Sequence, residues 1–348
     1  METLWFAIVA FSLTMYVILD GFDLGAGIIH LFVAKTERER AAIIKAIGPV
    51  WDGNEVWLLA AGGSLYLAFP LLYASSFSGF YLPLMMVLWF FILRGLGIEL
   101  RHQFHNPLWV RTWDILFSIS STLLAIFLGA ALGNVLRGVP LNQEGYFFTP
   151  LWTTFTVVPE AGVLDWYTVL MGLVALTSLT LQGANYIVVK TEGDIQMRAR
   201  TVSGRVWWAV LLLSILAQLA TFSIHPEYFS NYSEHPWGLI FPLLGLGSLV
   251  GSYLFTVKKN EVKAFLGSSV FIGSMLAATA FGLYPTLLPA STDPALSLTV
   301  QNVAAQSYSL NVALVWWILG IILACGYFVY VYRSFRGKVS LLDEEGGY

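Results

Sequence analysis

The sequence predicts an all-α polytopic membrane protein with nine transmembrane helices, its N-terminus outside and its C-terminus in the cytoplasm. Three observations carry that reading. Of 348 residues, 57% are hydrophobic and only 11% charged, against roughly 25% charged in soluble domains. Apolar runs of the length a bilayer needs, about 20 residues, recur along the whole chain. The Lys and Arg residues fall in alternate loops between those runs.

The runs are 4–33, 50–72, 76–100, 114–136, 164–189, 206–224, 237–257, 263–283 and 310–332. The first is long enough to tilt or to project beyond the bilayer. It carries Glu2 and no basic stretch ahead of it, so it reads as a first span and not as a cleaved signal. Sixteen of the 18 Lys and Arg residues lie in one set of loops. Lys35, Arg38, Arg40 and Lys45 follow span one, and Arg101 and Arg111 follow span three. Lys190, Arg198, Arg200 and Arg205 follow span five, Lys258, Lys259 and Lys263 follow span seven, and Arg333, Arg336 and Lys338 follow span nine. The positive-inside rule puts that side in the cytoplasm, and the alternation requires an odd number of spans. The opposite loops, 137–163, 225–236 and 284–309, are rich in Pro, Asn, Ser and aromatics. Trp152, Trp166, Trp237, Tyr228 and Tyr232 there suit the headgroup belt.

Cys325 is the one cysteine and lies in an apolar run, which excludes a disulfide framework and a cysteine-ligated metal site. A short internal repeat relates Asp20-Gly21-Phe22-Asp23 in span one to Gln182-Gly183-Ala184-Asn185 in span five. Arg38-Glu39-Arg40 before Trp51 is echoed by Arg198-Ala199-Arg200 before Trp207. Both copies run inward, so the repeat is parallel, four helices long, with span nine left over. Its second copy has neutral amides where the first has acids, so the charges serve something other than the fold.

Carboxylates inside a span cost roughly 2.5–3.5 kcal/mol each on insertion scales and mark functional sites. Asp20 and Asp23 are three apart, as are Asp52 and Glu55, so each pair shares a helical face. Asp52 and Glu55 stand between Trp51 and Trp57 at the cytoplasmic start of span two. Glu99 is near the cytoplasmic end of span three, with Arg94 about 7–8 Å deeper. All six charged groups share the cytoplasmic half of the first three spans. Five acids against one arginine leave an excess of negative charge, which suits a proton relay or a water-lined site. A buried ion-pair network is the structural alternative.

His30, His102, His105, His225 and His235 all sit at span ends or in loops and read as interfacial or solvated. A membrane haem takes axial ligands from the bundle interior, so no haem is expected on this chain. The recurring glycines read as close helix packing. Trp51 and Trp57 read as bulky interfacial packing, or as faces on which a quinone ring could stack.

These motifs resemble subunit II of the cytochrome bd ubiquinol oxidase family, cyanide-insensitive members included. The resemblance rests on Asp20-Gly21-Phe22-Asp23-Leu24-Gly25 and on Gly48-Pro49-Val50-Trp51-Asp52-Gly53-Asn54-Glu55-Val56-Trp57. Phe77-Ser78-Gly79-Phe80-Tyr81, Arg94-Gly95 leading to Glu99, and Gly133-Asn134-Val135 before Gly138-Val139-Pro140 join them. Gln182-Gly183 and Ser297-Leu298-Thr299-Val300 extend it over nearly the whole chain.

The resemblance implies two four-helix bundles plus one peripheral helix. On that reading 1–136 is the first bundle with the acidic cluster and 137–163 an outer loop. Residues 164–283 form the second bundle, 284–309 another outer loop, and 310–348 the ninth helix and cytoplasmic tail. It further implies a non-haem subunit of a bacterial inner-membrane quinol oxidase that reduces oxygen to water electrogenically. The haems, b and d or all b, would belong to a partner, subunit I. The pattern also admits a structural quinone and small single-helix accessory subunits among lipid, with no nucleic-acid partner. Asp52 matches the acid of the family's proton pathway and Asp23 a neighbouring acidic position, while Glu55 matches less securely. Asp20, Glu55 and Glu99 would assist, and Arg94 would tune their readiness to ionise. The competing class is a secondary transporter, which would show inverted repeats and helices broken at mid-membrane.

Overall fold

A single helix, α1 (Glu2–Val33), opens the chain without a proline to interrupt it. At 1.5 Å per residue it is about 48 Å long, more than a bilayer core of about 30 Å requires. The computed structural model describes residues 1–339, so residues 340–348 of the expected tail lie outside the described residues. After α1 come α2 (Glu37–Ile47), α3 (Trp51–Ala68), α4 (Pro70–Gly79), α5 (Tyr81–Leu100) and α6 (Pro107–Arg137). The second half holds α7 (Trp166–Lys190), α8 (Gly193–Ile224), the short α9 (Ser230–Glu234), α10 (Ile240–Val257), α11 (Glu261–Leu283) and α12 (Ser307–Ser334). Between α11 and α12, β1 (Thr286–Leu288) pairs antiparallel with β2 (Leu298–Thr299).

Among the described residues, eight helices are long and apolar enough to cross a membrane. They fall on the expected spans except the second. There α3 and α4 together qualify as a ninth span, but bent by 119° where a straight helix over 50–72 was expected. Pro70 causes the break. It disfavours helical torsions at the residue before it and lacks an N–H of its own, and Phe69 sits at φ −136°, ψ 66°.

The loop after span one also differs from expectation, since it folds as α2. Thr36 and Glu39 form a capping box: Glu39 N–H donates to Thr36 Oγ1 at 3.3 Å and Thr36 N–H to Glu39 Oε2 at 3.1 Å. Ala42, Ile43, Ile44, Ala46 and Ile47 of α2 then bury against α1 and α7. Burial pushes the Glu39 carboxyl up. The Lys35 N–H and the Arg198 guanidinium outweigh that and hold it below the usual carboxylate range. The Arg198 contact ties α2 to α8.

Helices α1 and α7 form the centre. α1 packs on α3, α6, α7 and α11, and α7 packs on α1, α6, α8 and α11. They approach closely because Gly25 and Gly183 face each other, and a Cβ on either would collide with the opposite backbone. Gly183→Leu is expected to cost at least about 3 kcal/mol, since backbone cannot yield as a side chain does. Folded, monodisperse protein in detergent should be lost. Gly247→Leu, where an added Cβ meets nothing within 4 Å, should leave that yield unchanged. By contrast α12 is peripheral, with only Leu310, Ala313 and Val331 buried.

At the end opposite the basic loops, Arg137 and Asp165 close the 138–164 loop as a buried ion pair. Asp165 Oδ1 also caps α7, accepting from Tyr167 N–H at 2.8 Å and Thr168 N–H at 2.9 Å. Trp152, Trp166 and Trp237 are exposed as the headgroup belt requires. Tyr228 is not: it is buried, and its hydroxyl donates to the Ala278 carbonyl at 3.0 Å. The polar end of a tyrosine here satisfies an intramolecular acceptor instead of the interface.

Candidate functional site

The site is built on the second half of α1. Asp20 and Asp23 share one face of that helix, and both are completely buried. Asp20 receives a bidentate pair from Arg94 of α5. Nη1 donates to Oδ2 at 2.9 Å, and Nη2 donates to Oδ1. Arg94 is completely buried as well, with the Trp51 ring centroid 5.9 Å from its Cζ. The forked geometry matches the planar carboxylate, which makes burial of both charges tolerable.

Among the described residues Asp23 has no cation of its own. Its Oδ2 accepts from Asn54 Nδ2 of α3 at 2.7 Å, and Asn54 Oδ1 accepts from the Tyr332 hydroxyl of α12 at 2.9 Å. Asp23 Oδ1 and Arg94 Nε are buried without a hydrogen-bond partner among the described residues. Tyr16, one turn before Asp20, points its buried hydroxyl toward that carboxylate without completing a hydrogen bond. Unpaired buried polar atoms are uncommon and call for an explanation such as a proton-carrying role or water.

The remaining predicted residues form a gradient toward the surface of the isolated chain. Glu55 is half-buried on α3 within electrostatic reach of Arg94, and Asp52 is exposed one turn before it. Glu99 is exposed and makes no ion pair among the described residues. The structure therefore brings together Asp20, Asp23, Glu55 and Arg94, leaves Asp52 at the rim, and leaves Glu99 apart. Trp51 lies under Arg94. Trp57 is buried between Phe328, stacked at 5.7 Å, and Phe11, edge-on at 5.8 Å.

A second charged cluster escaped the sequence reading. Asp114 of α6 is fully buried, with His30 Nε2 2.8 Å and Arg101 Nε 2.7 Å from Oδ1, and Arg40 Nη1 3.7 Å from Oδ2. His30 is thus neither interfacial nor solvated, correcting that expectation. It is completely buried near the end of α1, its ring edge-on to Phe117 at 5.4 Å. The signal was Asp114 itself, an acid at the start of an apolar run. The imidazole bonds Asp114 through Nε2, and its Nδ1 is buried without a hydrogen-bond partner among the described residues. Among the described residues no group of three His, Cys, Asp or Glu could hold a metal ion.

The second copy of the repeat has the same placement without charge. Gln182 Nε2 donates to Ser269 Oγ at 2.8 Å, and its Oε1 accepts from Ser268. Asn185 accepts from Ser203 at 2.6 Å and donates to Ser268 at 3.0 Å. Both amides find further partners, Gln182 at the Ile18 carbonyl of α1 and Asn185 at Ser252 of α10, so they form a satisfied neutral network. The first half keeps an unpaired carboxylate oxygen.

Residues 1–335 match the family described as cytochrome bd terminal oxidase subunit II. The chain is 30% identical over 365 residues to the probable cytochrome oxidase subunit 2 of Haemophilus influenzae, covering 97% of this chain and 94% of that one. It is 30% identical to the cytochrome bd ubiquinol oxidase subunit 2 of Bacillus subtilis, covering 98% and 97%. It is 28% identical to the cytochrome bd-I ubiquinol oxidase subunit 2 of Escherichia coli K12, covering 89% and 87%. In fold it is similar to a chain of the bd oxidase from Geobacillus thermodenitrificans, with TM-score 0.73, 17% identity and coverage of 96% and 98%.

Proposed function

Because the chain belongs to the cytochrome bd terminal oxidase subunit II family, we propose that it supplies protons from the cytoplasmic side to the oxygen-reducing centre of a partner subunit. It is a multi-pass protein of the bacterial cytoplasmic (inner) membrane and part of an oxidoreductase complex. The partner is subunit I, which carries the haems and oxidises the quinol. This chain holds and moves protons and supports assembly.

The observation that carries the reading is the unpaired Oδ1 of Asp23, completely buried beside a neutralised Asp20–Arg94 pair. Glu55 and then Asp52 lead from that carboxylate to the rim. A carboxylate that keeps one oxygen free can accept a proton there and pass it on. Arg94 neutralises Asp20, so only one negative charge at the core needs a proton. Asp52 at the rim collects protons, Glu55 relays them, and Asp23 is the innermost acceptor. The exposed rim at Asp52 is then where the partner seats. A transporter reading would place the helix break at the acids, whereas Phe69 lies 14 residues beyond Glu55, about 21 Å along the helix.

Asp52→Asn tests the rim. Turnover with quinol in the purified two-subunit complex should fall about threefold to tenfold, with haem content unchanged. Water reaching Glu55 directly limits the loss. Full turnover at normal haem content would remove Asp52 from the route.

A further inference from the structure

We propose that Tyr332 is a positioning residue for proton delivery, holding the Asn54 side-chain amide so that its NH2 and not its carbonyl faces Asp23. The inference rests on the proton-supply reading and adds a control from the peripheral helix. A primary amide has two orientations of nearly equal shape, differing only in which end donates. Around Asn54, completely buried, the partners break that symmetry. On one side Asp23 Oδ2 accepts at 2.7 Å and the Leu19 carbonyl lies at 3.5 Å. On the other the Tyr332 hydroxyl donates to Oδ1 at 2.9 Å.

Turning the amide over would set its carbonyl against a carboxylate oxygen, acceptor against acceptor. That orientation becomes favourable when Asp23 carries a proton to donate. The amide and the proton on Asp23 are therefore coupled. With the amide turned over, the Tyr332 hydroxyl could only accept, and its own O–H would have no acceptor among the described residues, so Tyr332 biases the pair toward release of the proton. The other titratable or charged groups around Asp23 are Asp20 and, through it, Tyr16 on α1, Glu55 on α3, Arg94 on α5 and Tyr186 on α7. None of these is bonded to the Asn54 amide among the described residues.

Tyr332 can hold this post because the end of α12 is pinned, although the helix is peripheral. Phe328 stacks on Trp57, and Gly53 lets the Tyr327 ring approach α3. Beyond the helix, Lys190 Nζ donates to the Phe335 carbonyl at 2.5 Å and Val339 N–H to the Lys190 carbonyl at 2.8 Å. Lys338 pairs with Glu261 at 3.0 Å.

The test is oxygen consumption as a function of pH in the purified two-subunit complex, with the haem spectrum as the check on assembly. Tyr332→Phe keeps the ring and removes the donor. It should lower turnover about threefold to tenfold, the worth of one hydrogen bond, and move the profile to higher pH. In an Asn54→Leu background, with no amide to orient, the same substitution should change neither. An unshifted profile for Tyr332→Phe, or an equal shift in the Asn54→Leu background, overturns the inference. Should Asn54→Leu fail to assemble, the Tyr332→Phe profile alone decides. Asp23→Asn, measured alongside, separates the two levels: full turnover there defeats the proton-supply reading itself, whereas a loss there with an unshifted Tyr332→Phe profile defeats only the role of Tyr332.

Discussion

Arg94→Gln is expected to prevent a stable complex from accumulating. Arg94 is completely buried and answers Asp20 with two hydrogen bonds, while Asp23 and Glu55 lie in its field. Glutamine cannot offer the fork or the charge, so Asp20 would remain as an uncompensated buried anion. Breaking a buried pair from one side costs about 3–5 kcal/mol, a large share of a typical folding free energy of about 5–15 kcal/mol. The measurement is the yield and thermal unfolding midpoint of the haem-containing complex. Removing both partners together, as Asp20→Leu with Arg94→Leu, should recover most of the lost stability, because two apolar groups leave no charge behind. A wild-type midpoint for Arg94→Gln would mean that the pair is not what keeps Asp20 in the core.

That contrast separates what the sequence made legible from what it could not. The spans were readable because long apolar runs have no other soluble fate, and Asp20 and Asp23 stood out as charges inside one. Facing was harder than depth. Glu99 is five residues after Arg94, about 140° around the helix, so the two cannot share a face, and that rotation alone would have set Glu99 apart. Asp114 was hidden by its place at the edge of a run, where an acid passes for a loop residue. His30 was read as interfacial for the same reason. The α2 helix did announce itself, through Thr36 and Glu39 three apart ahead of an apolar run, but its surrounding charges read as a loop. Asn54 and Tyr332 were out of reach of any local reading. Both are neutral, and they lie 278 residues apart along the chain.

Asp23→Asn carries the largest expected effect on activity. An amide has nearly the shape of a carboxylic acid but can neither take up nor release a proton, and its NH2 would meet the NH2 of Asn54 unless one of them turned. The complex should assemble with its normal haem spectrum, since no buried charge is left unanswered. Turnover should fall about 100-fold, the lower range for a proton-transfer group removed from its place. Asp23→Glu should restore a measurable part of it, because the extra methylene moves the acid without abolishing it. The loss must appear in proton uptake during a single turnover, with the initial electron transfer from quinol to the partner's haems unaffected. This expectation differs from that for Asp52→Asn for a physical reason. Water can replace a proton carrier at an exposed rim but not inside a packed core with one free oxygen to receive the proton. If Asp23→Asn turned over at the normal rate, the first half of the repeat would keep its charges only as an ion-pair network. The neutral Gln182–Asn185 network would then be its functional equal.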